Sequence, residues 1–272
     1  MHPRSFATGA MSYIPGLFEW WDDRRPMGNT ADPAYCRNIW RFHRDNALQA
    51  SPNRLARVGE IGPGATLGVC IAALLDGVDQ AVAIDAGHYA KIEANVGMLR
   101  SLTEGDGASF DRLRDAVAAA RDAGPAAPLK YVAPWSDRTI CALDSLDLIF
   151  SHSVLEHVSD PAATYAACFS WLKAGGIMSH KIDHSSHALT RSWNGHYEIP
   201  DVLWTLIYGR RPYLLNRWRP ARHLSAFRAA GFEILASSRF VIGDGLDTEV
   251  TLDAWPDDDR LVRTSTIIAR KP

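Results

Sequence analysis

From Ala56 onward, short β-branched and apolar runs alternate with longer amphipathic stretches, the rhythm of strands that each return through a helix to a parallel sheet. Strands are predicted near 56–61, 81–85, 129–132, 146–151 and 176–183, with helices near 64–76, 88–101, 108–122 and 160–173 between them. After an aromatic insertion at about 184–219, a helix near 220–230 stops at Gly231, and strands near 232–241 and 263–270 follow. The expected fold is α/β, a doubly wound, mostly parallel seven-stranded sheet. Ahead of it, Tyr35, Ile39 and Phe42 recur at near-helical spacing. Residues 1–50 therefore read as a helical lid of one or two helices, followed by one domain over 51–272.

Between the first predicted strand and helix the chain reads Arg57-Val58-Gly59-Glu60-Ile61-Gly62-Pro63-Gly64. Glycines fall where the backbone must turn sharply and let a ligand approach, and the N-terminus of the following helix favours polar or anionic groups. Asp85 ends the next strand, where a carboxylate can accept hydrogen bonds from two vicinal ribose hydroxyls. An adenosine-type cofactor fits, either S-adenosylmethionine (SAM) or NAD. Glu60 favours SAM, because it could engage a methionine ammonium group and would repel a pyrophosphate. Gly68 follows Gly64 by four residues rather than the three of a dinucleotide turn, and Phe169 stands where a short-chain reductase would need lysine four residues after Tyr165.

Composition narrows the partners. A net charge of −2 offers no general attraction to nucleic acid or to an anionic membrane. Cys36, Cys70, Cys141 and Cys168 are widely spaced without a CxxC pair, which argues against disulfides and a cysteine zinc site. The apolar run Val69 to Leu75 falls far short of the roughly 18 residues of a spanning helix, and a cytoplasmic protein is expected.

Four segments in order then carry a resemblance: EIGPG at 60–64, AVAIDA at 81–86, SLDLIFSHSVLEHV at 145–158 and WLKAGG at 171–176. The series resembles the motifs of class I SAM-dependent methyltransferases, and VLEHV is especially similar to the small-molecule branch that includes quinone-pathway enzymes. The resemblance implies a Rossmann-like methyltransferase fold and SAM as cofactor, with S-adenosyl-L-homocysteine as product. It implies that Glu60, Gly62, Pro63 and Gly64 line the methionine end, that Asp85 and Ala86 hold the ribose, and that the 133–137 loop meets the adenine through Trp135 or Asp137. Ser151 and His152 would flank the transferred methyl. Glu156 and His157 read as the start of a helix.

Methyl transfer to an alcohol needs a base, and histidine titrates in the right range. His152 ends the fourth strand, while His180, Asp183, His184 and His187 lie at or beyond the end of the fifth, the edge where open sheets bind ligands. Alternation puts His180 on one strand face and Asp183 on the other. His184 is the preferred base and His152 the second, with Asp183 orienting a histidine. No metal is expected, since HKIDHSSH matches no zinc spacing. The insertion interleaves Trp193, Tyr197, Trp204, Tyr213 and Trp218 with arginines, a composition suited to wall an acceptor pocket or simply to pack the lid. The expected function is SAM-dependent transfer of a methyl group to a hydroxyl of a small molecule or glycan, with a homodimer allowed. N-methylation, an NAD-dependent oxidoreductase and a non-catalytic SAM-binding protein are the alternatives.

Overall fold

The computed structural model describes residues 3–22, 29–135, 140–211, 213–242, 259 and 261–272. Three helices, α1 (Pro3–Met11), α2 (Leu17–Asp22) and α3 (Pro33–Ala50), precede the alternating part of the chain. There follow β1 (Arg57–Ile61), α4 (Gly68–Leu75), β2 (Gln80–Ile84), α5 (Ile92–Leu102), α6 (Gly107–Ala118), β3 (Leu129–Val132), β4 (Leu146–His152), α7 (Pro161–Trp171) and β5 (Leu172–Asp183). A short 3-10 turn, α8 (Asp201–Tyr208), α9 (Pro220–Ala229), β6 (Glu233–Val241) and β7 (Val262–Arg270) complete it.

The seven strands form one sheet in the order β3-β2-β1-β4-β5-β7-β6. Strands β1 to β5 pair in parallel, and β7 runs antiparallel between β5 and β6. The expected mostly parallel seven-stranded sheet is thus present. Central β1 is buried over Val58 to Ile61, as a strand covered on both faces must be. Strand order reverses between β1 and β4, and a crevice opens at such a switch point outside the carboxyl ends of the strands.

Helices cover both faces. On one, α3 and α4 bury Cys36, Ile39, Trp40, Val69, Ile71 and Leu74 with Phe150 of β4. On the other, Tyr165 and Trp171 of α7 and Phe227 of α9 pack with Ile149, Met178 and Ile267. Helix α3 begins at Pro33 with Asp32 as its cap, accepting a 2.8 Å bond from the Ala34 amide. It is a layer of the domain core, whereas α1 packs on α8 of the insertion: a Cβ on Gly9 would lie 2.5 Å from the Leu206 carbonyl oxygen. Helix α8 lies inside the predicted aromatic insertion, for which no helix was predicted.

The predicted helix start at Glu156 and His157 is corrected. Residues 154–157 form a turn closed by a 2.8 Å bond from the His157 amide to the Val154 carbonyl. Helix α7 begins at Pro161, and its cap is Asp160, which accepts from Ala163 at 2.9 Å. Proline fits the first helical position and aspartate the cap, so this pair, four residues later, carries the start signal.

Candidate active site

The glycine turn lies at the carboxyl end of β1. Gly62 (φ +71°) and Gly64 (φ +75°) both adopt the left-handed conformation that side chains disfavour. At Gly62 a Cβ would also sit 2.5 Å from both γ-carbons of Val154, so the turn is closed against the end of β4. Pro63 between them is buried. Thr30, ahead of α3, accepts from the amides of Ala65 (3.0 Å) and Thr66 (3.3 Å) through its hydroxyl, and Asn95 of α5 accepts from the Leu67 amide at 2.9 Å. Two distant side chains thereby supply the missing cap of α4, whose own cap position, Leu67, cannot.

Glu60 and Asp85 end adjacent parallel strands and are only 5% and 8% exposed. Burial pushes Glu60 up to about 8; the Cys70 thiol, donating to Glu60 Oε2 at 3.1 Å, opposes this, and the neighbouring Asp85 reinforces it. Burial likewise raises Asp85 to about 7, against the pull of the backbone amides of Ala86, Gly64 and Gly87. Ala86 N–H donates to Asp85 Oδ1 at 2.7 Å, and the exposed Ala86 side chain adds no further contact. Two buried carboxylates raised above their ordinary range are poised for a ligand that brings positive charge and hydroxyl donors. The Trp135 amide donates to the Asp85 carbonyl at 2.9 Å, while its indole meets Trp171 edge-on at 5.7 Å. Part of that ring is therefore committed to the core. Asp137 lies outside the described residues.

At the ends of β4 and β5 the side chains divide by face. Ser151 is fully buried and pairs with His180 Nδ1 at 2.7 Å on the side of α7 and α9. Its hydroxyl is thus engaged inside the core, and its main chain is what Ser151 can offer a ligand. His184, the preferred base, is 2% exposed, holds Ser265 Oγ through Nε2 at 2.9 Å and leans toward His223 of α9. Burial drives it down to about 4. It stands inside the protein and cannot meet an acceptor, because the strand pairing continues past Asp183: the His184 amide donates to the Arg263 carbonyl at 2.7 Å.

His152 and Asp183 face the other way. His152, half-buried, packs among Tyr35, Phe42 and His43 of α3. His43 Nε2 lies 3.2 Å from His152 Nδ1, and His43 Nδ1 lies 2.8 Å from Ser179 Oγ. Burial first, then the charge of Lys181, lowers His152 to about 4, so the ring is neutral near pH 7. Asp183 Oδ2 lies 3.5 Å from His187 Nε2, and Asp183 Oδ1 accepts from the Ser185 amide at 2.8 Å. His187 Nε2 is in turn 4.0 Å from Glu156 Oε1, and the His157 and His187 rings meet edge-on at 4.8 Å.

The insertion holds this corner in place. Asn216 Nδ2 donates to the carbonyls of Leu155 (2.6 Å) and Val158 (2.9 Å), and its amide donates to the Glu156 carbonyl at 2.7 Å. Arg217 bonds the Ile199 carbonyl at 2.6 Å and pairs with Asp201. His43, Thr30 and Asn216 join this candidate site without having been singled out in the sequence, whereas His187 was placed at the sheet edge with no role given. For His43 the only sequence signal was its place on the inward face of α3.

A model of the methyltransferase domain family matches residues 98–179. Among curated proteins none matches the sequence. Of solved structures, the chain is similar to the geranyl diphosphate C-methyltransferase of Streptomyces coelicolor, in complex with Mg2+, geranyl diphosphate and S-adenosyl-L-homocysteine. Identity is 12%, coverage 86% of this chain and 79% of that one, and the TM-score 0.51. A protein assigned as a sarcosine dimethylglycine methyltransferase from Galdieria sulphuraria has 12% identity and TM-score 0.51, covering 86% and 85% of the two chains. An S-adenosylmethionine dependent methyltransferase from Mesorhizobium loti has 18% identity and TM-score 0.47, covering 82% and 95%. The domain match over residues 98–179 and the architecture shared with these structures give the chain the class I methyltransferase fold.

Proposed function

We propose that the chain transfers the methyl group of SAM to a hydroxyl of a small molecule or glycan, with His152 as the base. The observation that carries this reading is the meeting of three groups at one sheet edge: Glu60 and Asp85 beside the glycine turn, and His152 at the end of the neighbouring strand. Glu60 would hold the methionine ammonium group, the turn at Gly62 to Gly64 the amino-acid end, and Asp85 with the Ala86 amide the ribose. Trp135 would border the adenine. The transfer itself is an in-line displacement: the acceptor oxygen bonds to the methyl carbon as the carbon–sulfur bond breaks, and that pair stays on sulfur, leaving neutral S-adenosyl-L-homocysteine.

The oxygen must also lose its proton. A proton on His152 Nδ1, donated to His43 Nε2, leaves His152 Nε2 free to accept it. A base pushed down to about 4 takes that proton as the oxygen–carbon bond forms rather than beforehand. Helices α1, α2 and α8 would form the cover over the acceptor, with α3 part of the floor. Titration calorimetry with SAM and with NAD tests the cofactor assignment, and binding of NAD without SAM would sink it. Isotope-labelled methyl SAM incubated with panels of hydroxyl and amine acceptors tests the rest: label on nitrogen alone would replace O-methylation by N-methylation, which a neutral amine can undergo without a base.

A further inference from the structure

We propose that Lys181 binds an anionic group of the acceptor, so that the molecule methylated is a hydroxy acid with a carboxylate or phosphate near the reacting hydroxyl. The inference rests on the reading of His152 as the base and deepens it by naming the acceptor's chemical class.

Lys181 lies on β5, in register with His152 of β4 on one side and Thr266 of β7 on the other. Paired residues of neighbouring strands share a face of the sheet, so the lysine stem rises beside the His152 ring. The Ser153 amide fixes the strand end by donating to the Lys181 carbonyl at 2.8 Å. Helix α3 stands over both residues: the Phe42 ring is 5.7 Å from the His152 ring and 5.8 Å from Lys181 Nζ. Tyr35, two turns earlier on the same helix, meets His152 edge-on at 6.4 Å. A cation, a neutral imidazole and two half-buried rings therefore border one corner of the carboxyl edge.

Lys181 differs from the other lysines set against the sheet in having no oxygen to bind. Lys173 pairs with Asp147 at 2.7 Å, Lys271 pairs with Asp144 at 2.6 Å, and Lys130 donates to the Ile140 carbonyl at 3.3 Å. Among the described residues no oxygen is bonded to the Lys181 ammonium, whose contact is the ring of Phe42. A half-buried ammonium gives up part of its hydration, and a ring returns only some of it. Asp183, on the same face two residues on, is already held by His187 at 3.5 Å and by the Ser185 amide. The positive charge beside His152 is thus left for a ligand to answer.

That charge also works against the base. Once His152 has taken the hydroxyl proton it is an imidazolium facing an ammonium, with the buried, neutral ring of His43 against its other nitrogen. An anion seated on Lys181 removes the repulsion and lets the imidazolium form. Acids are then favoured twice, in binding and in the step that moves the proton, and a neutral compound of the same shape gains neither. An ammonium is a point charge without the forked geometry of arginine, so it takes carboxylate and phosphate alike, while Tyr35 and Phe42 offer ring faces to a planar or sugar body.

The test is calorimetric titration of the protein, with and without S-adenosyl-L-homocysteine, by three acids and their neutral counterparts: para-hydroxybenzoate and its amide, glucuronate and its amide, and glycerol phosphate and glycerol. At least one acid should bind about 10- to 100-fold more tightly than its counterpart, the worth of a hydrogen bond to a charged group, and which acid does so separates carboxylate from phosphate. Lys181→Met, which keeps the stem against Phe42, should lose that preference, and Lys181→Arg should keep most of it. In the complexes with cofactor product, the His152 ring signals in NMR should titrate at higher pH with the acid bound than with its counterpart. Acids that bind no better than neutral compounds, a preference that survives Lys181→Met, or a His152 titration that the acid leaves unmoved would overturn the proposal. Acids bound through Lys181 by a protein that binds neither SAM nor its product would overturn the methyl-transfer reading alone.

Discussion

The two halves of the site are built from opposite chemistry. Beside β1 and β2 stand carboxylates that burial has raised, Glu60 to about 8 and Asp85 to about 7. Beyond β4 and β5 stand histidines that burial has lowered, among them His152 and His184 to about 4. These four groups are thus kept close to neutral, and each kind suits a different partner. The carboxylates suit a cation with hydroxyl donors, and the neutral imidazoles suit a proton. A protein that joins a cationic donor to a neutral hydroxyl gains from this division, because neither half repels its own ligand and each responds to a different change.

Substitution should separate the halves, and the acceptor side should give the largest effect. His152→Ala is expected to lower kcat by about 10²- to 10⁴-fold, the usual worth of a general base, while SAM affinity by calorimetry stays within threefold or so. Equal losses in both would mean that His152 holds the cofactor instead. Next, Gly62→Ala forces a Cβ against Val154 at a left-handed position, so SAM binding should fall by about 100-fold and the melting temperature should drop, at a cost of about 1–3 kcal/mol. Asp85→Asn keeps the shape but loses a charged acceptor, which should weaken SAM by about 10- to 100-fold at pH 8.

Smaller effects should follow from the link between the halves and from pH. His43→Gln removes the ring against His152 Nδ1 and should lower kcat by about tenfold while moving the acidic limb of the pH–rate profile; an unmoved limb would show that His43 only fills space. In the free protein, the raised carboxylates contribute stability that is complete below the unfolded carboxylate range near pH 4. That contribution is lost as pH rises through about 7 and 8. Bound SAM favours the ionised forms. The melting shift on adding SAM should therefore be larger at pH 8 than at pH 6, by several-fold in apparent affinity. A shift that shrinks toward pH 8 would contradict the ammonium contact assigned to Glu60.

What was legible in the chain follows the same division. Glycine turn and carboxylates lie within 25 residues of one another on consecutive strands, and β1 to β4 fall within a residue or so of their predicted ends, because strand, turn and helix there are set by local pattern. The acceptor half is assembled from far apart. His43 reaches His152 across 109 positions, and His184 is taken up by Ser265 across 81. No period or spacing reports such pairings, so the histidine run at 180–187 could be noticed without being sorted. Alternation did separate His180 from Asp183, but its extension past Asp183 was needed to see that His184 points inward. Glu156 and His157 resembled a helix start because an acidic residue is favoured near a helix N-terminus; the proline and aspartate at Pro161 and Asp160 took that role.

The close packing of α1 on α8 also sets an order of events during synthesis. Helix α1 leaves the ribosome well before α8, yet the surface that receives Gly9 is the backbone of Leu206 and Ile207, and the Ser12 hydroxyl accepts from the Arg210 amide. Nearly two hundred residues must be translated before that surface exists. In the interval β1, α4, β2 and β4 can associate without α1, whose nine residues are too few to persist as a helix alone. Helix α1 is thus seated long after it is made, and a nascent chain stalled between α1 and α8 would display it undocked.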